Sequence, residues 1–140
     1  MTRILGVDLG ARRIGLAISD PLHVAASPLR VLERAASRDA DHRTIVDVAR
    51  ELDATCIVVG LPRALSGKLG PAERATLVEV DELRAVAGPE LAVETYDERF
   101  TTVTAERSLR EARMTREARR RIVDKVAAAV MLQSWLESNR

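Results

Sequence analysis

The chain has 140 residues, 46% hydrophobic and 31% charged, which argues against both an intrinsically disordered chain and a membrane protein. A formal net charge of +1 does not by itself indicate a nucleic-acid partner, and a single cysteine excludes an internal disulfide and a cysteine-based zinc cage. The length fits one domain over residues 1–140. Because no signal region opens the chain, we expect a cytoplasmic protein without a membrane partner.

The first part of the chain predicts an antiparallel meander of three strands. Residues 3–8 form an apolar run that ends at Asp8, and Gly10 breaks the chain after it. Residues 13–19 have the pattern of a second strand, closed by Asp20-Pro21, and residues 28–33 that of a third. Short turns between such runs favour antiparallel pairing of neighbouring strands.

The remainder alternates helices and strands. Helices are predicted over 39–52, 72–87, 103–112 and 118–137, strands over 56–59 and 91–95, and a loop over 60–70. Cys56 suits a buried position in the fourth strand. This order predicts an α/β fold with a five-stranded mixed sheet flanked by helices, in which strands 1, 4 and 5 are parallel and central.

Carboxylates occur at three places where they could carry chemistry. Asp8 ends an apolar strand, Asp97 and Glu98 follow the fifth strand, and Asp124 borders the apolar stripe of the last helix. If strands 1 and 5 are parallel and close, the first two places share the edge at which open α/β sheets bind ligands. Each has an ordinary alternative: a turn aspartate, a surface ion pair, or a helix-surface acid. Together they are the donors that Mg²⁺ prefers, and two such ions about 4 Å apart can promote phosphodiester cleavage.

Basic residues concentrate in residues 107–125, where they outnumber acidic ones. Such a cluster could contact phosphates, or it could be a solvated helical face with internal ion pairs. An aromatic content of 2% is low for base stacking, so backbone and shape would dominate any recognition of nucleic acid. His23 and His42 lie in a loop and at a helix start, and we expect both to be solvated.

Short motifs occur in order along residues 4–133. They are 6–10 with 13–17, Ser19-Asp20, 58–62 with Ser66-Gly67 and Gly70, 97–102, and Asp124 with Ala127-Ala128 and Leu132-Gln133. In combination they resemble the YqgF/RuvX family of RNase H-like proteins. In that family leucine more often occupies the position of Phe100 and aspartate that of Ser66, which affects expected loop contacts but no expected metal ligand.

The resemblance implies an RNase H-like fold and a nuclease with the acidic triad Asp8, Glu98 and Asp124, which would also bind Mg²⁺ or Mn²⁺, as a pair of ions. Asp8 would bridge the metals, whereas Asp20 and Asp97 fit a turn cap or a supporting position. The resemblance also implies two roles. The favoured one is processing of the 5′ end of the 16S ribosomal RNA precursor, with the small-subunit precursor as a partner, and the alternative is Holliday-junction resolution.

The candidate phosphate contacts are Arg12, Arg13 and Arg99, because guanidinium groups pair bidentately with phosphate. Lys68 in the predicted loop, with Arg113, Arg116 and Arg120 of the basic cluster, could hold the flanking backbone of a nucleic acid. Arg13 could equally be a structural ion-pair partner.

Two further functions fit parts of the sequence. ATP-binding proteins of the actin and sugar-kinase type also have Asp-x-Gly before a hairpin, but 140 residues are short for their two subdomains. A non-catalytic, RNA-binding ribosome assembly factor is the other. A complete acidic triad argues against it, because clustered carboxylates repel an RNA backbone unless metal intervenes.

Overall fold

A computed structural model describes residues 2–62, 69–98 and 116–139. The elements of this part are β1 Arg3–Leu9, β2 Arg13–Ser19, β3 Ala26–Glu33, α1 Arg38–Glu51, β4 Ala54–Leu61, α2 Pro71–Ala87, β5 Ala92–Asp97 and α3 Arg116–Ser138. Each strand and helix predicted for these ranges is confirmed, with ends displaced by a few residues. The predicted helix over 103–112 and residues 63–68 of the predicted loop lie outside the described residues.

The strands form one sheet in the order β3-β2-β1-β4-β5. β1, β2 and β3 make the predicted antiparallel meander, and β4 and β5 continue the sheet in parallel with β1. The expectation that all three parallel strands are central is wrong for β5, which lies at the edge. β2 occupies one side of β1 and β4 the other, and β5 pairs with the outer side of β4, which places β5 at the edge.

The two faces of the sheet are covered by different helices. Leu5 and Val7 of β1 pack in the core with residues of α1 and α2, whereas Ile4 packs on the opposite face with Leu132 of α3. This alternation follows from the two-residue period of a strand. A Cβ on Gly6 would lie 2.9 Å from the Cβ of Leu132, so glycine lets α3 approach the sheet closely.

Two sequence expectations about buried side chains had different outcomes. Cys56 is buried as predicted, and burial, with a hydrogen bond to Glu94, raises the pKa of its thiol to about 12. His42 is not solvated, since it is 1% exposed and its Nε2 donates to Glu79 at 2.8 Å. The packing of α1 against α2 buries this side chain. His23 is half-buried, with Nε2 2.9 Å from the Thr2 carbonyl oxygen.

Among the described residues, none of the helices combines the length and the apolar character that crossing a membrane requires.

Candidate functional site

Asp8 and Glu98 meet at the carboxyl edge of the parallel strands. Asp8 lies near the end of β1 and Glu98 directly follows β5, with β4 between the two strands. A hydrogen bond joins the carboxyl groups of Asp8 and Glu98 above the end of β4, and both side chains are partly buried. The structure therefore brings together two of the three predicted acidic residues, from segments 90 positions apart.

A glycine in β4 makes this meeting possible. Val58 of β4 packs on the α3 face of the sheet, and Gly60, two residues later, faces the same way. A Cβ on Gly60 would lie 2.9 Å from the Cδ of Glu98, so the side chain of Glu98 occupies the space that any other residue would fill. In the sequence, Gly60 stands out only as part of a motif. A glycine inside a strand is the signal of such a close approach.

The acid–base state of the pair follows from its surroundings. Burial raises the pKa of Glu98 to about 8, and the negative charge of Asp8, the hydrogen bond to Asp8 and the charge of Asp97 act in the same direction. Two carboxyl groups at hydrogen-bond distance resist ionising together, so they retain a proton between them near neutral pH. A divalent cation compensates the same repulsion, and the pair therefore fits one.

The helix that carries Asp124 lies over the face from which Asp8 projects. The carbonyl oxygen of Ala128, one turn beyond Asp124, would be 3.4 Å from a Cβ on Gly6, and Gly6 precedes Asp8 by two positions on the same face of β1. The side chain of Asp124 lies outside the described part. Within that part, no group of three or more acidic, histidine or cysteine side chains is arranged to hold a metal ion. Of the predicted triad, the described side chains are those of Asp8 and Glu98.

Sequence comparisons give the family. The family model RuvX, described as Holliday junction resolvase, matches residues 2–138. The chain belongs to this family. RuvX-family relatives named "Putative pre-16S rRNA nuclease" include one from Mycobacterium sp. (strain KMS), 41% identical over 99% of this chain and 81% of its own length. Another, from Roseiflexus sp. (strain RS-1), is 42% identical over 99% of this chain and 96% of its own length. The resemblance seen in the motifs is confirmed, and these relatives place the chain among nucleases that hydrolyse phosphodiester bonds.

Solved structures support the fold of this RuvX-family chain. The Thermus thermophilus RuvC in complex with a Holliday junction substrate has a TM-score of 0.53 at 19% identity, covering 99% of this chain and 96% of RuvC. The fowlpox virus resolvase in complex with Holliday junction DNA has a TM-score of 0.56 at 11% identity, covering 99% of both chains. At such low identity these likenesses concern the fold alone, and they confirm the predicted RNase H-like architecture.

The other acidic residues of this RuvX-family chain have supporting positions. Asp20 accepts hydrogen bonds from the backbone N–H groups of Leu22, Val24 and Ala25. The bond from Ala25, followed by the other two, lowers the pKa of Asp20 despite some desolvation. Asp20 is thus the predicted turn cap. Asp97 ends β5 beside Glu98, and its charge contributes to the raised pKa of Glu98.

The predicted phosphate contacts are only partly described. Arg12 is exposed in the turn between β1 and β2. Arg13 is 15% exposed, and its Nε donates to Glu33 at 3.2 Å, which agrees with the alternative of a structural ion pair. Lys68, Arg99 and Arg113 lie outside the described residues. Arg116 and Arg120 belong to α3, where only their place in the helix is described.

Proposed function

We propose that this chain, acting as one domain over residues 1–140, is a divalent-metal-dependent endonuclease that processes the 5′ end of pre-16S ribosomal RNA. The observation that carries the proposal is the hydrogen-bonded Asp8–Glu98 pair at the carboxyl edge of an RNase H-like sheet. The choice of substrate is supported by the names of relatives 41–43% identical to the chain. Nucleic acid, in the form of the small-subunit precursor, would be its partner.

Asp8, Glu98 and Asp124 would hold the Mg²⁺ or Mn²⁺ ions. Ions held there would supply an activated water molecule and would stabilise the oxygen that leaves the phosphodiester. Asp8 is fixed by its pairing in the sheet, opposite Gly15 of β2, and Glu98 by the space above Gly60. To hold an ion, Glu98 would have to be in its carboxylate form, without the proton that it shares with Asp8. Arg12 is exposed close to Asp8 in the chain and can orient the phosphate.

Holliday-junction cleavage is the second candidate function. It is favoured by the description of the matching family model and by the two junction-bound enzymes that share the fold. An RNA-binding assembly factor without catalytic activity is the third, and it differs from both nucleases in not requiring Asp8.

The deciding experiment supplies purified protein with Mg²⁺ or Mn²⁺ and two labelled substrates, an RNA spanning the 5′ end of the 16S precursor and a four-way DNA junction. Asp8→Asn is the test variant. Asp47→Asn, at an exposed position of α1, is the matched control because it makes the same chemical change on a helix of the opposite face of the sheet. We expect cleavage of the RNA by wild type and by the control, and none by Asp8→Asn.

Other outcomes select the other functions. Cleavage of the junction alone, lost in Asp8→Asn, would replace RNA processing by junction resolution. If folded wild-type protein binds the RNA but cleaves neither substrate, the nuclease proposal is wrong and the assembly factor takes its place.

A further inference from the structure

The turn that follows Asp8 is held by Arg34, the first residue after β3. The backbone N–H of Arg34 donates to the carbonyl oxygen of Arg12 at 2.9 Å, and its side-chain Nε donates to the carbonyl oxygen of Gly10 at 3.0 Å. Gly10 in turn donates its N–H to the carbonyl oxygen of Arg13 at 2.9 Å. One residue therefore fixes both ends of the short segment that carries the exposed Arg12.

Arg34 is in turn fixed by buried carboxylates of the two helices on the opposite face of the sheet. Its Nη1 and Nη2 bind Glu79 of α2 at 2.5 and 2.9 Å, and Nη1 also binds Asp41 of α1 at 3.3 Å. His42 donates to the same Glu79 at 2.8 Å. The side chains of Arg34 and Glu79 are 18% and 8% exposed, so this is an interior network and not a surface ion pair.

A buried charged network contributes little net stability, because the cost of desolvating the charges offsets their attraction. Its effect is geometric, since a bidentate guanidinium–carboxylate pair admits few orientations. Here that geometry reaches the active-site edge, as the Gly10 carbonyl lies two residues beyond Asp8. Catalysis is sensitive to displacements of this kind, because a misplacement of about 1 Å can reduce a rate by roughly 100-fold.

We propose that Arg34 is a positioning residue of the nuclease site, which connects the turn at residues 10–13 to α1 and α2 through Glu79 and Asp41. It touches neither metal nor substrate. It sets the place of Arg12 and of the last residues of β1, and so the geometry that Asp8 offers to a metal ion. The catalytic part of this inference rests on the proposed nuclease function.

The test variant is Arg34→Lys, which keeps a positive charge beside Glu79 but removes the planar fork and the Nε donor to Gly10. The matched control is Arg38→Lys, because Arg38 also joins this region to α2, by a bond from its Nη2 to Glu82 at 3.1 Å, but does not contact the turn. If Arg34→Lys does not fold, the triple variant Arg34→Met/Glu79→Gln/Asp41→Asn takes its place, since it also neutralises both carboxylates that Arg34 binds.

Three quantities are measured on each folded protein: amide hydrogen exchange at Gly10, the Mn²⁺ dissociation constant, and kcat and KM on the cleaved substrate. For Arg34→Lys we expect faster exchange at Gly10, weaker Mn²⁺ binding, and kcat reduced by about tenfold at saturating substrate. Arg38→Lys should match wild type in all three. A residue with a purely structural role would lower the thermal midpoint without changing kcat of the folded protein.

The inference and the proposed function fail in different ways. If Arg34→Lys and Arg38→Lys give the same Gly10 exchange, Mn²⁺ affinity and kcat as wild type, Arg34 does not position the site. If wild type cleaves nothing, the proposed function is lost, but exchange at Gly10 and Mn²⁺ affinity still decide whether Arg34 positions the turn.

Discussion

Glu98 is the residue on which the chemistry of this site depends most directly. Its side chain crosses β4 through the space left by Gly60 and reaches Asp8, and both burial and the charge of Asp8 favour its protonated form. A carboxyl group that holds a proton in the folded protein at neutral pH is typical of functional sites. The unfolded chain has no such environment, so the difference appears as a dependence of stability on pH.

We predict that the metal-free protein loses stability as pH rises from about 4.5 to about 8. The pKa of Glu98 is raised from 4.5 to about 8 on folding, so within this window the folded state binds a proton that the unfolded state has released. The stabilisation from this proton is complete below the pKa of the unfolded state and is lost as the pH rises through the pKa of the folded state. Urea unfolding in chelator, at intervals across the window, measures the effect.

The variant Glu98→Gln should show a flatter profile in that window, because an amide does not titrate. Glu51→Gln, an exposed residue at the end of α1, is the control and should keep the wild-type profile. A Glu98→Gln profile as steep as that of wild type would contradict the assignment of the raised pKa to Glu98.

Two glycines in neighbouring strands make room for different neighbours. Gly60 in β4 makes room for a flexible carboxyl side chain, whereas Gly6 in β1 makes room for the Cβ of Leu132 and for the backbone of α3 at Ala128. Alanine at position 60 displaces the side chain of Glu98, whereas alanine at position 6 displaces the packed helix α3. The same substitution should therefore have different consequences in neighbouring strands.

We predict that Gly60→Ala lowers nuclease activity by at least about tenfold with little change in the free energy of unfolding, because Glu98 is pushed away from Asp8. Gly6→Ala should lower the free energy of unfolding by about 1–3 kcal/mol, the usual cost of overpacking a core. Urea unfolding and a cleavage assay on both variants measure the two effects. Equal losses of stability in the two variants would show that Gly60 has a packing role.

The elements were more predictable than the contacts between them. Hydrophobic periodicity and the Gly and Pro breaks predict the strands and helices directly. The three small residues Ala127, Ala128 and Ala129 of α3 suit a helix that lies close to the sheet, and the contacts at Gly6 agree with this. The edge position of β5 depends on which side of β1 is already occupied, and no local pattern encodes that. Asp8 and Glu98 could be expected at one sheet edge, but their hydrogen bond depends on the absence of a side chain at Gly60.

The sequence predicts least well which polar side chains are buried between helices. His42 has the local sequence of a solvated residue at a helix start, next to Asp41 and Arg43. Its partner Glu79 lies 37 positions away in another helix, and only the packing of α1 on α2 brings them together. The contacts of Arg34 are unpredictable from sequence for the same reason, since its three side-chain partners, Gly10, Asp41 and Glu79, come from three different segments.

For the molecule as a whole, the formal net charge of +1 gives little long-range attraction for nucleic acid, so the distribution of charge matters more than its sum. Described exposed cations on α1 and α2 are partly neutralised in pairs, as in Arg43 with Asp39 and Arg84 with Asp81. α3 lies on the other face of the sheet and begins with Arg116, followed by Arg120 one turn later. Because this end of α3 precedes Asp124, the third predicted acidic residue, we expect a bound nucleic-acid strand to contact it.

We predict that Arg116→Gln/Arg120→Gln weakens RNA binding and makes its salt dependence shallower by about 1.5 in the slope of log affinity against log salt, as expected for two lost phosphate contacts. Binding is measured by titration at several salt concentrations in the Asp8→Asn background, so that the RNA stays intact. The control is Arg43→Gln/Arg74→Gln, on exposed positions of α1 and α2, which also removes two positive charges. If the phosphate backbone of the RNA runs along α3, the control variant keeps the salt dependence of the wild type. An equal change in both double variants would mean that only the net charge of the chain attracts the RNA.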